Sequence, residues 1–216
     1  MPENTKKPAS VPRKLAIFAI FGAFAGIVGV YLIKGGLGND GAQFCSADRT
    51  MTDRLKPLAR GEVAAVLVPD RPRKLPELGF KDASGKSLSL KDFAGKTLLV
   101  NMWATWCAPC REEMPALDSL QGELGGPDFQ VVAVSIDTQQ PDKAKAFLNE
   151  LKIAKLGFFQ DASGKLFQDL KLVGRAVGLP TTLLIDKEGC EIGYLPGPAH
   201  WASEDAKKMI RAAIGR

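Results

Sequence analysis

The chain has 216 residues, 45 % of them hydrophobic, four cysteines and a formal charge of +5. That length suits one ordinary domain with an appendage, and such a domain buries enough core to fold without a structural metal or a dense disulfide framework. Five basic residues and one acid fall within residues 1–34, leaving +1 for the remainder, so no basic stripe with interleaved aromatics points to nucleic acid.

Residues 15–33, LAIFAIFGAFAGIVGVYLI, form an uncharged run of 19 residues, against roughly 20 needed to cross a bilayer as a helix. The run exceeds the apolar core of a signal peptide, no Ala-x-Ala-like cleavage site follows it, and it has no polar face suited to a buried core helix. It is read as an uncleaved anchor. Lys6, Lys7, Arg13 and Lys14 precede it with only Glu3 opposing them, which keeps residues 1–14 in the cytoplasm and exports the rest. Residues 34–74 then read as a tether and N-terminal extension: a glycine-rich joint, KGGLGNDGA, a moderately helical stretch and a Pro/Arg-rich connector.

From Leu75 the pattern alternates. KDASGKSLSLKDFAGK carries the turn signals of a hairpin or edge strand. TLLVNMW (97–103) and FQVVAVSID (129–137) are near-continuous apolar runs, as buried strands show. Residues 111–124 place apolar side chains at 114, 117, 120 and 124, a helical period. Residues 141–151 and 164–178 read as helices separated by a short LGFFQD strand. TTLLID (181–186) and CEIGYL (190–195) make a hairpin, and residues 203–214 close the chain as a helix capped by Ser203. The order predicts an α/β fold for 75–216: a mostly parallel sheet whose last strands run antiparallel, with helices on both faces.

All four cysteines lie beyond the apolar run. In an oxidising exported compartment pairing is the default; Cys107 and Cys110 form the local pair, leaving Cys45 and Cys190 for each other. WATWCAPCR (103–111) sets Cys107-x-x-Cys110 directly after a buried strand and before a helix, the position of a thioredoxin-like redox motif. A structural zinc site needs four ligands, and the chain has one histidine, His200, and no second such pair; no metal or other cofactor is expected. Unpaired N–H groups and the helix dipole favour a thiolate at the helix start. Cys107 is therefore the attacking residue, and Cys110, one turn inside, is placed to resolve the mixed disulfide.

LLVNMWATWCAPCREEMPAL, with Pro115 eight residues after Cys107, GLPTT at 178–182 and the outlying Cys45 and Cys190, resembles the TlpA-like family of membrane-anchored bacterial thiol:disulfide interchange proteins. The resemblance covers 75–216 and the anchor. It implies a thioredoxin-like fold with a central mixed sheet, and a single-pass protein of the bacterial inner membrane whose redox domain is periplasmic. Pro180 would be the cis-proline beside the active site rather than an ordinary strand-start proline. Glu113 resembles the glutamate of related cytochrome-maturation thioredoxins, a proton shuttle for Cys110, or else is a plain first-turn acid. Trp106 is a wall for substrate or a packing residue, and His200 has little claim to a part. Many cytosolic thioredoxins carry Asp six residues before the first cysteine; Asn101 stands there, so proton handling falls to Glu113 or water.

Ala108-Pro109 adds no cation or extra donor to the thiolate, which argues for a reductant or mild couple. The resemblance implies oxidised protein substrates with paired cysteines, the copper-binding subunit of cytochrome oxidase and its copper chaperone, and a membrane thiol reductant upstream. Cytochrome c maturation is the alternative assignment. A thioredoxin-fold copper chaperone, and a non-enzymatic tethered binding domain stapled by Cys107 and Cys110, stay open from the residues alone.

Overall fold

The computed structural model describes Phe44, Cys45 and residues 49–215. The sequence-predicted anchor at 15–33, its basic flank and the joint before residue 44 lie outside these. Among the described residues no helix is long and apolar enough to cross a membrane.

Seven strands, β1 (Gly79–Asp82), β2 (Ser87–Ser89), β3 (Thr97–Trp103), β4 (Phe129–Ser135), β5 (Phe159–Gln160), β6 (Thr181–Ile185) and β7 (Glu191–Pro196), form one sheet in the order β2-β1-β5-β4-β3-β6-β7. Only β3, β4 and β5 run parallel; β1, β2, β6 and β7 join antiparallel. The sheet is thus mixed rather than mostly parallel, because β1–β2 and β6–β7 are hairpins at its two edges and only the crossovers from β3 to β4 and from β4 to β5 set neighbouring strands parallel.

Strand alternation builds two cores. Leu98, Val100 and Met102 of β3 join Val132, Val134, Leu183 and Ile185 on the face covered by α4 (Lys165–Leu172). Leu99 and Trp103 join Val131, Ala133, Leu184 and Ile192 on the opposite face, under α1 (Thr50–Leu55), α2 (Ala108–Leu124), α3 (Pro141–Glu150) and α5 (Glu204–Ile214). Asn101, between Leu99 and Trp103, therefore points beneath α2.

Helix α4 ends at Leu172, six residues before the predicted end of 178. Gly174 takes the left-handed conformation (φ 69°) and Arg175 N–H donates to Leu170 O at 2.7 Å, a glycine-based stop. Ser203 caps α5, its hydroxyl accepting Ala206 N–H at 3.2 Å.

The described part of 34–74 belongs to the fold. Leu55, Val63 and Val66 are buried in the same core as α5. Leu67 pairs with Tyr194 and Arg73 with Glu191 along β7, and Cys45 is joined to Cys190 by a disulfide across 145 residues.

Candidate active site

Trp103 ends β3, and the chain turns before α2. Cys107 N–H donates to Ala104 O at 3.1 Å, closing a turn with Thr105 and Trp106 at its centre. Cys107 is the N-cap of α2, with extended backbone (φ −91°, ψ 102°), and Pro109 fits the first helical turn because its missing N–H is not needed there. The Cys107 sulfur accepts Cys110 N–H at 3.3 Å, one of the donors that a helix start leaves free.

Cys107 and Cys110 form a disulfide with Cα atoms 5.3 Å apart. Cys107 keeps 6 % of its surface exposed and Cys110 none, so an incoming sulfur reaches the first and not the second. Trp106 is 70 % exposed and takes no part in the core. The Leu179–Pro180 peptide is cis. Met102 pairs with Thr181, which brings Pro180, one residue earlier, level with the exit of β3.

Glu113 lies three residues beyond Cys110 on the same side of α2. It is not the solvated first-turn acid that the sequence left open: only 4 % of it is exposed. Asn101 Nδ2 donates to its Oε1 at 2.6 Å and Ala199 N–H to its Oε2 at 3.3 Å. Asn101 also donates to Thr182 Oγ1 at 3.0 Å, across its register partner. Burial pushes the Glu113 carboxyl from 4.5 up to about 7; the Asn101 amide, the Ala199 N–H and the nearby Trp201 indole pull the other way. The Trp201 Nε1–H makes no hydrogen bond of standard geometry, so its pull is weak. No cation is among these influences. A carboxyl poised near neutrality is suited to giving and taking protons.

A groove of about 610 Å³ runs beside Pro109, lined by Glu62, Glu112, Glu113, Ala199 and His200 among others. The isolated His200 of the sequence thus stands at the same groove as Glu113. Asn101, set aside in the sequence as unable to act as a base, is the donor that holds Glu113. Cys45 and Cys190 lie apart, at the far end of β7 from Pro196, which pairs with Thr181. Among the described residues no cluster of His, Cys, Asp and Glu has a metal-binding arrangement.

The Redoxin family model matches residues 72–210, well over half of the chain. The chain belongs to the Redoxin family. It is similar to the thiol-disulfide oxidoreductase ResA of Bacillus thuringiensis subsp. konkukian, 33 % identical over 126 residues, which cover 58 % of this chain and 69 % of the relative. Similarity to the thioredoxin-like protein YneN of Bacillus subtilis is 32 % identity over 120 residues, 54 % of this chain and 66 % of that one. Among solved structures, a putative thiol:disulfide interchange protein DsbE of Chlorobium tepidum matches with a TM-score of 0.56 and 31 % identity, over 66 % of this chain and 96 % of that chain. The fold is thioredoxin-like, of the TlpA-like kind, and the protein is a thiol-disulfide oxidoreductase that acts on cysteine-containing proteins.

Proposed function

We propose that the protein is a periplasmic reductant, held in the inner membrane by residues 15–33, that keeps metal-site cysteines reduced during assembly of the copper centre of cytochrome oxidase. The observation that carries the chemistry is the Cys107–Cys110 pair at the start of α2, with Cys107 alone reachable and Glu113 buried beside it. In the reduced protein the Cys107 thiolate attacks one sulfur of a substrate disulfide. A Cys107–substrate disulfide forms and the substrate's other sulfur leaves as thiolate. Cys110, giving its proton to Glu113, attacks the Cys107 sulfur, closes Cys107–Cys110 and releases the second substrate thiol. Two electrons pass to the substrate, and a membrane thiol reductant restores the pair.

The direction of electron flow is supported by the thiolate's surroundings. Its sulfur accepts a backbone N–H, while Ala108 and Pro109 offer neither cation nor side-chain donor, so the thiolate is stabilised less than in a strong oxidant. An exported compartment oxidises thiols, and copper ligands are a class of cysteine that must stay reduced to bind metal. Glu113 also favours a second reading, cytochrome c maturation, because its place three residues after Cys110 resembles that of the glutamate in thioredoxins of that pathway. Pro180, cis and level with the end of β3, leaves the Leu179 backbone to pair with a substrate peptide, and Trp106 walls the approach.

Cys110→Ser is expected to accumulate mixed disulfides with its substrates and Cys107→Ser to accumulate none; trapping through Cys110 instead would reverse the two roles. A deletion strain that loses the copper-centre oxidase while attaching haem to c-type cytochromes normally supports the first reading, general loss of c-type cytochromes moves the assignment to the second, and loss of neither removes both. A soluble periplasmic form starting after residue 34 would rule out the anchor.

A further inference from the structure

The turn that delivers Cys107 to α2 is held from outside its own strand. Asp137, two residues past the end of β4, is 4 % exposed. Thr105 N–H donates to both of its oxygens, at 3.2 and 3.1 Å, and the Thr105 hydroxyl donates to Oδ1 at 2.7 Å. The Ser135 hydroxyl donates to Oδ2 at 2.8 Å, while Asp137 N–H donates back to Ser135 Oγ at 3.2 Å. A carboxylate this buried is costly unless its lone pairs are filled, and here neutral donors from β4 and from the turn fill them.

We propose that Asp137 is a positioning residue for the exchange reaction: its carboxylate, braced by Ser135, fixes the Ala104–Cys107 turn and thereby aims the Cys107 sulfur at the N–H groups of α2. The strands leave the sheet together, since Trp103 and Ser135 are register partners and Ile136 N–H donates to Trp103 O at 2.9 Å. Beyond that level the turn makes its own closing bond from Cys107 to Ala104. That bond leaves Thr105 N–H, at the second position of the turn, without a partner of its own, and Asp137 supplies one. Trp106 follows directly and projects outward; Cys107 comes next, its sulfur on the Cys110 amide. Helix-terminus stabilisation of a thiolate fades within the first turn, so a small rotation at Thr105 moves Cys107 out of the position that makes it nucleophilic. The carboxylate thus acts through Thr105 and touches neither cysteine's reaction partner.

This inference rests on Cys107 as the attacking sulfur, and the experiment separates the two. In the reduced full-length protein, the rate of alkylation of each active-site cysteine is followed against pH, together with the rate of exchange with a protein disulfide. If Cys110 is alkylated first, the assignment of the nucleophile is wrong and this proposal goes with it. With Cys107 alkylated first, Thr105→Val, which removes the hydroxyl bond without altering charge, is expected to move the alkylation midpoint of Cys107 to higher pH and slow exchange several-fold. Asp137→Asn is expected to slow exchange by about tenfold or more, the scale of a misplaced reacting group. Thr105→Ser, which keeps both bonds, should restore the wild-type profile; Glu113 is unaltered in every variant. Unchanged midpoint and rate in Thr105→Val overturn the proposal even if Asp137→Asn fails to fold. Slower exchange with an unchanged midpoint, or a Thr105→Ser variant as impaired as Thr105→Val, overturns it as well.

Discussion

Two buried glutamates, one near each end of the sheet, separate the working end of the molecule from its fastening. Glu113, under α2, is held by an asparagine amide and a backbone N–H. Glu191, at the start of β7, is held by Arg175, whose Nε donates to both of its oxygens at 2.8 and 2.6 Å. Burial raises both carboxyls, and in Glu191 the guanidinium of Arg175 opposes it. Neutral donors leave Glu113 at about 7, where a proton comes and goes in ordinary conditions. Similar burial therefore leaves a carboxyl held by neutral donors at one end and one tied to a guanidinium at the other; the partner sets the difference.

The sharpest way to break this contrast is to remove the cation. Arg175→Ala removes the guanidinium bonded to Glu191 and leaves its buried carboxylate with only Arg73 nearby, and is expected to cost roughly 3 kcal/mol in denaturant unfolding. Glu191→Gln, which removes the buried charge itself, should cost clearly less; equal costs would mean the pair contributes mainly by packing.

Replacing Cys45 and Cys190 together by serine tests the fastening from the covalent side. The bond closes a loop with a sequence separation of 145, and its loss is expected to cost about 2–4 kcal/mol. Exchange at Cys107 and Cys110 should persist wherever the variant remains folded, measured as turnover of a disulfide substrate below its melting temperature.

The smallest and most specific effect belongs to Glu113. Its folded-state value, about 7, lies above the ordinary 4.5, so the native protein holds this proton more tightly than the unfolded chain. The stability it contributes is fully present below pH 4.5 and is lost as pH rises through 7, a fall of up to ~3 kcal/mol. Glu113→Gln should lack that component in urea unfolding followed from pH 4.5 to 8, and its exchange rate should lose the inflection near pH 7. Retention of the full slope in Glu113→Gln would assign it to other groups, Glu191 and Asp186 among them, whose carboxyls burial also raises.

Much of this was legible in the residues. The apolar runs at 97–103 and 129–137 carry their own strand signal, and Cys107-x-x-Cys110 between strand and helix states its chemistry locally. The burial of Glu113 also left a trace, for residues 110, 113, 114, 117 and 120 share one side of a helix, and a lone acid on an apolar stripe is a signal of its own. Asn101 gave less, because its meaning depends on Thr182, 81 residues away. Asp137 gave none: it read as the last residue of the strand at 129–137, which ends instead at Ser135, and its partner Thr105 is 32 positions earlier. The overlong reading of α4 came from periodicity outvoting Gly174, whose left-handed backbone ends the helix. Residues 49–74 read as an extension, a moderately helical stretch and then a Pro/Arg-rich connector, because proline, arginine and glycine dilute their apolar pattern, yet Leu55, Val63 and Val66 are core.

That connector has a consequence for how copies of the chain meet. A sheet edge with free N–H and C=O groups invites another chain's strand. Along β7, Leu67 N–H donates to Tyr194 O and Tyr194 N–H returns to Leu67 O, while Arg73 and Glu191 exchange the same pair of bonds. The molecule thus supplies its own last, broken strand, and the opposite edge is only the three residues of β2. Cutting the chain at residue 75, where the alternating pattern begins, would uncover β7 and the apolar floor beneath α5 together. Such a fragment should stick to itself; one that begins ahead of Phe44 keeps its selvage.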